Sequence, residues 1–191
     1  MKKLANSGKI MSTMGSPSDL LLARGYEARR DRRPSDAKQC FEEAIELCQY
    51  EGDRSGLAHA LAGLGQIERD LHDLAGARRH YEESVDICRT VDNPLKLAHI
   101  VRHLADVLSE QGEFVLAAPC YKEAIEIYRE HDDSSPLDLA NAIRGFAHLK
   151  TRNRETRDAL LLWREARNLY ARCDVEAGIL ESDRELSLLA Q

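Results

Sequence analysis

The sequence has few aromatic residues and few prolines for its length of 191 residues. Aromatic side chains make up 5% of it, and it contains five prolines. Strands favour aromatic and β-branched residues, whereas the abundant Ala, Leu, Glu and Arg favour helices. This shortage of strand-forming residues predicts an all-α fold.

The sequence also lacks a net positive charge and long apolar runs. The formal net charge is −6, which argues against a nucleic-acid partner because phosphate binding needs a basic surface. No segment reaches the roughly 18 consecutive apolar residues that a membrane-spanning helix needs. We therefore expect no nucleic-acid partner and no membrane partner.

The cysteines form an odd set of five without a C-x-x-C pair. This pattern argues against a disulfide framework and against a cysteine-based zinc site. Because the cysteines fall on apolar helix faces, we expect them to act as small, reduced hydrophobic residues. Reduced thiols are typical of a cytoplasmic protein, and we predict that location. The five are Cys40, Cys48, Cys88, Cys120 and Cys173.

Catalytic signatures are also absent. The sequence contains no G-x-x-x-x-G-K-[ST], G-x-G-x-x-G or G-x-S-x-G motif, and its spacing assembles no nucleophile, base and orienting group. His99 and His103 stand four residues apart, a spacing that can bind a metal from one helix face, but no third ligand is indicated. We predict a protein that is not an enzyme and that holds no cofactor or metal.

The clearest feature that is present is an internal repeat. CFEEAIELC at residues 40–48 is followed by HYEESVDIC at 80–88 and by CYKEAIEIY at 120–128, in steps of 40. The match extends beyond these stretches, and a further copy at 139–159 follows at a shift of 42. Such periodicity is typical of an array in which each unit buries its apolar face against the next.

Each unit divides into two helical patterns. Apolar residues recur at steps of three and four, short polar turns separate the patterns, and Pro34, Pro94 and Pro136 suit helix starts. We predict four helix–turn–helix units, a flexible leader before them and a C-terminal capping helix after them. The predicted bounds are 1–17 for the leader, about 18–53, 54–93, 94–135 and 136–175 for the units, and 176–191 for the capping helix.

Four positions keep the same register in all four units, at steps of 12, 4 and 3 residues. They hold a small residue, a second small residue, an aromatic residue and a third small residue. Two antiparallel helices approach closely where Gly or Ala lies, and the ring fills the space beside the crossing. The sets are Gly25, Ala37, Phe41 and Ala44; Gly65, Ala77, Tyr81 and Ser84; Ala105, Ala117, Tyr121 and Ala124; and Ala147, Ala159, Trp163 and Ala166.

This pattern resembles the tetratricopeptide repeat over about residues 18–173. Units of about 40 residues, rather than about 34, resemble the longer repeats of kinesin light chain and of some bacterial regulators. The resemblance implies a right-handed α-solenoid with the first helix of each pair on its concave side. It also implies a groove that binds protein partners and carries out no catalysis.

Polar residues recur at matching places of the first helices and form the predicted peptide-binding set. Arg is a planar multi-donor that suits carboxylates, and such a groove could hold an extended peptide or a helix. In the alternative interpretation, this is a solvated charged surface that repeats because the units were duplicated. The predicted set is Arg29, His59, Gln66, Arg69, His99, Arg102, Asp106, Asn141, Arg144 and His148.

The predicted function is a protein–protein interaction module or adaptor that binds a peptide or helix, including an acidic one, in this groove. Two alternatives stay open: a self-assembling scaffold, and a sensor subunit that binds a small molecule or signal peptide. The Lys, Asn and Arg set of the family's chaperone-tail clamp is not reproduced, which disfavours chaperone C-termini as partners. The expected partner is a protein or peptide of unspecified identity, and homo-oligomer formation stays open.

Overall fold

The computed structural model describes residues 16–190, and all regular structure in that range is helical, which confirms the all-α prediction. The helices are α1 (Pro17–Arg30), α2 (Pro34–Glu51), α3 (Arg54–Asp70), α4 (Leu74–Cys88), α5 (Pro94–Glu110), α6 (Phe114–Glu130), α7 (Pro136–Arg152), α8 (Thr156–Arg172) and α9 (Glu176–Leu189). Each helix packs against the next, so that α1/α2, α3/α4, α5/α6 and α7/α8 form four stacked pairs. We call α1, α3, α5 and α7 the first helices; α9 follows the last pair and packs against α8.

The helix starts follow local chemistry. Pro34, Pro94 and Pro136 are the first residues of their helices, as the sequence predicts, because a residue at that position needs no backbone N–H. Helix α1 begins at Pro17, and the Ser16 hydroxyl accepts a bond from the backbone N–H of the third helical residue. The rest of the predicted leader, residues 1–15, lies outside the described residues.

A left-handed residue forms the turn inside each pair. Its φ is 58° at Arg32, 63° at His72, 82° at Gly112 and 60° at Arg154. This conformation closes the preceding helix, because the next backbone N–H then reaches back five residues, as from Asp73 to a carbonyl oxygen at 2.8 Å. Only Gly112 indicates this geometry in the sequence, because arginine and histidine, which occupy the other three positions, rarely adopt a positive φ.

The small–small–aromatic–small register forms the centre of every pair. Phe41, Tyr81, Tyr121 and Trp163 are at most 2% exposed, and the small residues beside them are buried. Ser84 replaces alanine in the second unit, and its hydroxyl donates to a backbone carbonyl of α3 at 2.6 Å, which satisfies the buried oxygen. The predicted role of the register as a helix-crossing device is confirmed.

The closeness of these crossings predicts different changes in stability at two glycines of α3, a large loss at Gly63 and little change at Gly65. A Cβ on residue 63 would come within 3.0 Å of three ring carbons of Phe41, which is itself fully buried. We expect Gly63→Ala to lower the free energy of unfolding by about 1–3 kcal/mol through overpacking. Urea-induced unfolding followed by circular dichroism measures this change.

Gly65→Ala is the matched control. A Cβ there would lie 3.2 Å from the Tyr81 ring, and alanine already occupies this position as Ala105 and Ala147. The helix-propensity gain of about 1 kcal/mol should offset most of the remaining crowding. Equal losses of stability in the two variants would contradict the packing argument.

Candidate functional site

The first helices together form one continuous polar surface, which we call the first-helix face. Helix α1 contacts α3 and α5 contacts α7 directly, while side chains bridge from each first helix to the next. All ten residues of the predicted binding set lie on these four helices. The solenoid order therefore brings into contact residues of successive units, such as Arg29 and Asp70, which are 41 positions apart in the chain.

Asp106 is the centre of this surface. Its Oδ2 accepts bonds from Arg69 of α3 and from Arg102 of its own helix, both at 3.2 Å. Its Oδ1 accepts a bond from the Tyr121 hydroxyl at 2.6 Å. Arg69 also bonds Glu110, with 3.0 Å between Nε and Oε1. One carboxylate thus ties two first helices and the ring of a second helix together.

His103 links the same two first helices on the other side of Arg102. The Arg102 guanidinium donates to His103 Nε2 at 2.8 Å, and the Gln66 amide nitrogen lies 3.2 Å from the same atom. Because the guanidinium can only donate, Nε2 is the acceptor, and the ring proton resides on Nδ1. Arg102 is 8% exposed, so it belongs to the buried network and does not project towards solvent.

The two ends of the face carry their own contacts. At the N-terminal end, Arg29 Nε lies 2.7 Å from an oxygen of Asp70. At the C-terminal end, Glu181 of α9 accepts bonds from Arg144 at 3.3 Å and from His148 at 2.8 Å. The arginines that we expected to meet a partner's acidic groups are thus paired with carboxylates of the chain itself.

The remaining predicted residues, His59, His99 and Asn141, also have neighbours on the face. The His59 ring lies 5.4 Å from that of Tyr26, and the His99 ring lies 4.7 Å from that of His103. The Asn141 side-chain oxygen accepts a bond from the Tyr170 hydroxyl at 2.8 Å. Every predicted residue therefore has a described contact.

The predicted set left out several residues of this site, among them Tyr26, Lys96, His103, Tyr121 and Glu181. Tyr26 lies one turn before Arg29 on α1, but the set contained recurring polar positions and did not include it. Glu181 could have been found, because a shift of 40 places it in the row of His99 and Asn141. The contact from Tyr121 had no sequence signal, since the register assigns that ring to the crossing.

Three imidazoles on the face, those of His59, His99 and His103, are uncharged at neutral pH. Burial lowers the pKa of His59 and His103, and it lowers the pKa of His99 to about 4 although solvent reaches that ring. The positive charges of Lys96 and Arg102 act in the same direction. Burial opposes the charge of Glu181, but its bonds to His148 and Arg144 prevail and lower the pKa of that carboxyl.

Two pockets open on the first-helix face. The ring pocket, of about 340 Å³, lies between α1, α3 and α5. The arginine pocket, of about 220 Å³, lies between α3, α5 and α7. The ring pocket is lined by Tyr26, His59, Ala62, Gln66, Asn93, Leu95, Lys96, His99, Ile100 and His103, and the arginine pocket by Arg69, Asp106, Ser109, Glu110, Tyr121, Arg144, Gly145, His148 and Arg152.

Two further properties concern the part of the chain that the structure describes. Between residues 16 and 190, no group of three or more His, Cys, Asp or Glu side chains is arranged to hold a metal ion. None of the helices in this range is long and apolar enough to cross a membrane.

Comparison with known proteins identifies the repeat. Residues 20–90 match the family model described as tetratricopeptide repeat. The resemblance to the tetratricopeptide repeat is confirmed. No curated protein sequence matches the chain significantly.

Solved structures extend this tetratricopeptide fold over most of the chain. BtubC (BKLC) from P. vanneervenii superimposes with a TM-score of 0.74 at 16% identity and covers 82% of this chain. The apo form of RapI gives 0.75 at 13% identity and 85% coverage. A kinesin light chain-like protein from Podosopora anserina, with nearly identical TPR-like repeats, gives 0.73 at 14% identity and 92% coverage. The prediction of an α-solenoid is confirmed.

The chain is shorter than these neighbours. It spans 64% of BtubC and 60% of RapI, but 87% of the kinesin light chain-like structure. At sequence identities of 13% to 16%, the likeness to these structures shows a shared fold and no more.

The hydroxyl groups of the two buried tyrosines at the crossings should contribute differently to the free energy of unfolding. The Tyr121 hydroxyl bonds Asp106 at 2.6 Å, whereas the equivalent Tyr81 hydroxyl is buried without a hydrogen-bond partner among the described residues. We expect Tyr121→Phe to lower the free energy of unfolding by about 1.5–3 kcal/mol, because it removes a bond to a charged group. Tyr81→Phe should leave stability unchanged or raise it. Urea titrations compare the two, and an equal loss in both would contradict the assignment.

The low pKa values of the imidazoles predict a loss of stability between pH 7 and pH 5. Unfolded histidine titrates near pH 6.5, whereas the pKa of folded His99 is about 4. As the pH falls through 6.5, the unfolded chain therefore binds more protons and the folded state loses stability. Solvent screens the exposed ring, so His99→Asn should remove about 1 kcal/mol of this loss. Denaturant unfolding at both pH values is the measurement, and an unchanged difference would exclude His99 as a contributor.

Proposed function

We propose that the protein is a non-enzymatic, cytoplasmic adaptor whose first-helix face is a groove for a peptide or helix of a partner protein. The tetratricopeptide match and the repeat fold support a protein–protein interaction role. The polar first-helix face supports this location of the groove, because side chains from successive units converge on it.

The observation that carries the proposal is the placement of the two pockets. They lie side by side along the first helices, and predicted binding residues line both: His59, Gln66 and His99 in the ring pocket, and Arg69, Asp106, Arg144 and His148 in the arginine pocket. An extended segment that follows the first-helix face would pass both pockets in turn. Peptides commonly bind by placing successive side chains in neighbouring pockets while polar groups hold the backbone.

Carboxylates of an acidic partner can replace the chain's own carboxylates as the partners of Arg29 and Arg144. The Arg29 and Asp70 side chains are 38% and 48% exposed, and those of Arg144 and Glu181 are 40% and 33% exposed. Exposed ion pairs of this kind contribute only about 0–1 kcal/mol, so a partner's carboxylate can replace either acid at little cost. Arg102 is buried in the Asp106 network and is expected to have a structural role.

Affinity selection from a random peptide library tests the proposal. We expect selected peptides rich in Asp and Glu, and at least about tenfold weaker binding to the Arg29→Ala/Arg144→Ala variant, which corresponds to about 1.4 kcal/mol. Fluorescence polarisation with labelled peptides measures the affinities. The affinity of the wild type should also fall with added salt.

Arg79→Ala/Arg164→Ala is the matched control, because it removes the same charge from exposed sites on α4 and α8. It should bind the selected peptides as the wild type does. Loss of binding in this control, with full binding retained by the Arg29/Arg144 variant, would move the site to the second helices and contradict the proposal.

A further inference from the structure

The ring pocket has a chemistry of its own, apart from the ion pairs of the first-helix face. Its volume of about 340 Å³ falls within the range that small-molecule sites occupy. Its walls are mainly apolar and aromatic, and four rings contribute to them. These rings are Tyr26, His59, His99 and His103.

The pocket exists because the second unit differs from the units after it. Ala62 lines the pocket, and the third and fourth units carry Arg102 and Arg144 at the same repeat position. A long side chain at residue 62 would occupy the space between α1, α3 and α5. The sequence therefore provides a cavity in this one unit, on a scaffold that accepts a larger residue elsewhere.

The rings of the pocket suit a flat, unsaturated group. Tyr26 and His59 lie 5.4 Å apart, and His99 and His103 lie 4.7 Å apart in an edge-to-face arrangement. Their imidazoles are uncharged at pH 7, so they present aromatic faces and edges without adding positive charge. Aromatic groups prefer such offset and edge-to-face neighbours.

The ring pocket is lined by one ammonium group, that of Lys96, and by no carboxylate of the described residues. Lys96 Nζ bonds the Ser55 hydroxyl at 3.0 Å and forms no ion pair with a carboxylate of the described residues. Lys96 lies in the first turn of α5, which contains no acidic residue. The positive end of the helix dipole adds to its charge. A ligand's anionic group would therefore be stabilised at this end of the pocket.

The inner wall holds two polar atoms without partners. His103 is 9% exposed and its Nδ1 is buried and unbonded, since the nearest Asp106 oxygen is 3.8 Å away. This nitrogen carries the ring proton and is a donor. Gln66 Oε1 is likewise buried without a partner and is an acceptor. Buried polar groups in folded proteins are normally hydrogen-bonded. Asp106, which His103 Nδ1 approaches, does not line the ring pocket, so Gln66 Oε1 is the atom that a ligand in this pocket could complement.

We propose that the ring pocket binds a planar aromatic acid of one or two rings, with the ring among Tyr26, His59 and His99 and the carboxylate at Lys96. Gln66 lies about two or more helical turns from Lys96 along the first helices, so a ring N–H, and not the carboxylate, would complement its oxygen. This ligand chemistry is available from a free small acid and from a peptide that ends in an aromatic residue. The site does not depend on the proposed exchange of acidic groups at Arg29 and Arg144.

Isothermal titration calorimetry and ligand-observed NMR with indole-3-acetate test the proposal on the full chain. We expect saturable binding with a Kd below about 1 mM. Tryptamine keeps the ring but is cationic, and cyclohexaneacetate keeps the acid but lacks the flat ring. Both should bind at least about tenfold more weakly. N-acetyltryptophan tests the peptide source: stronger binding than that of indole-3-acetate assigns the site to peptide ends, and weaker binding assigns it to free acids.

Two substitutions locate the binding. Lys96→Met removes the ammonium group at similar length and should weaken indole-3-acetate binding about tenfold. Ala62→Met fills the pocket and should abolish binding, while a thermal midpoint close to that of the wild type shows that the fold persists. Arg79→Ala, at an exposed site on α4 outside the ring pocket and the first-helix face, is the control and should bind as the wild type does.

Several results would overturn the proposal. They are the absence of binding at millimolar concentration, equal binding of tryptamine, equal binding of cyclohexaneacetate, and unchanged binding in either Lys96→Met or Ala62→Met. Peptide binding that is lost in Arg29→Ala/Arg144→Ala while indole-3-acetate binding persists would separate this site from the proposed groove.

Discussion

The close crossing of two antiparallel helices is the interaction on which the rest of the structure depends. At each crossing a ring from the second helix fills the space beside a glycine or alanine of the first helix, and both are excluded from water. The backbones can approach only because these positions lack bulk. The same approach fixes the rotation of each first helix, and so it decides which of its residues face the next unit. The polar first-helix face is therefore a product of the apolar crossings.

The sequence alone predicted those features of the fold that recur at regular spacing along the chain. The helix pairs, the proline starts and the crossing register are local or repeat at 40 residues, so they can be recognised without coordinates. Side-chain partners could not be predicted in this way. Arg69 meets Asp106 and Glu110 through the angle between two stacked units, and no pattern within one unit contains that angle. The left-handed conformation of Arg32 and His72 could not be predicted either, because the folded structure there overrides the usual preference of these residues for a negative φ.

The first-helix face combines buried and exposed ion pairs in one layer. Asp106 holds arginines of two first helices and the hydroxyl of Tyr121, so its substitution would disturb the stacking together with any ligand. Arg29 and Arg144 are more exposed and have one carboxylate residue each as a partner. Buried ion pairs, such as those that Asp106 forms, are costly to break, whereas exposed ion pairs contribute little to stability. Under the proposed function, stability and recognition would therefore fall to different arginines of the same surface.

The uneven contacts between first helices have a mechanical consequence. Helix α1 packs directly on α3 and α5 on α7, whereas α3 and α5 are joined mainly by the side chains of Gln66 with His103 and Arg69 with Asp106. Side-chain bridges tolerate small changes of angle that packed backbones resist. Helices α4 and α5 pack directly across the same junction, and one apolar core continues from the second unit to the fourth, so the difference is confined to the first-helix face. The ring pocket lies where α3 and α5 have few contacts of their own, so an occupant would add a bridge between these two helices.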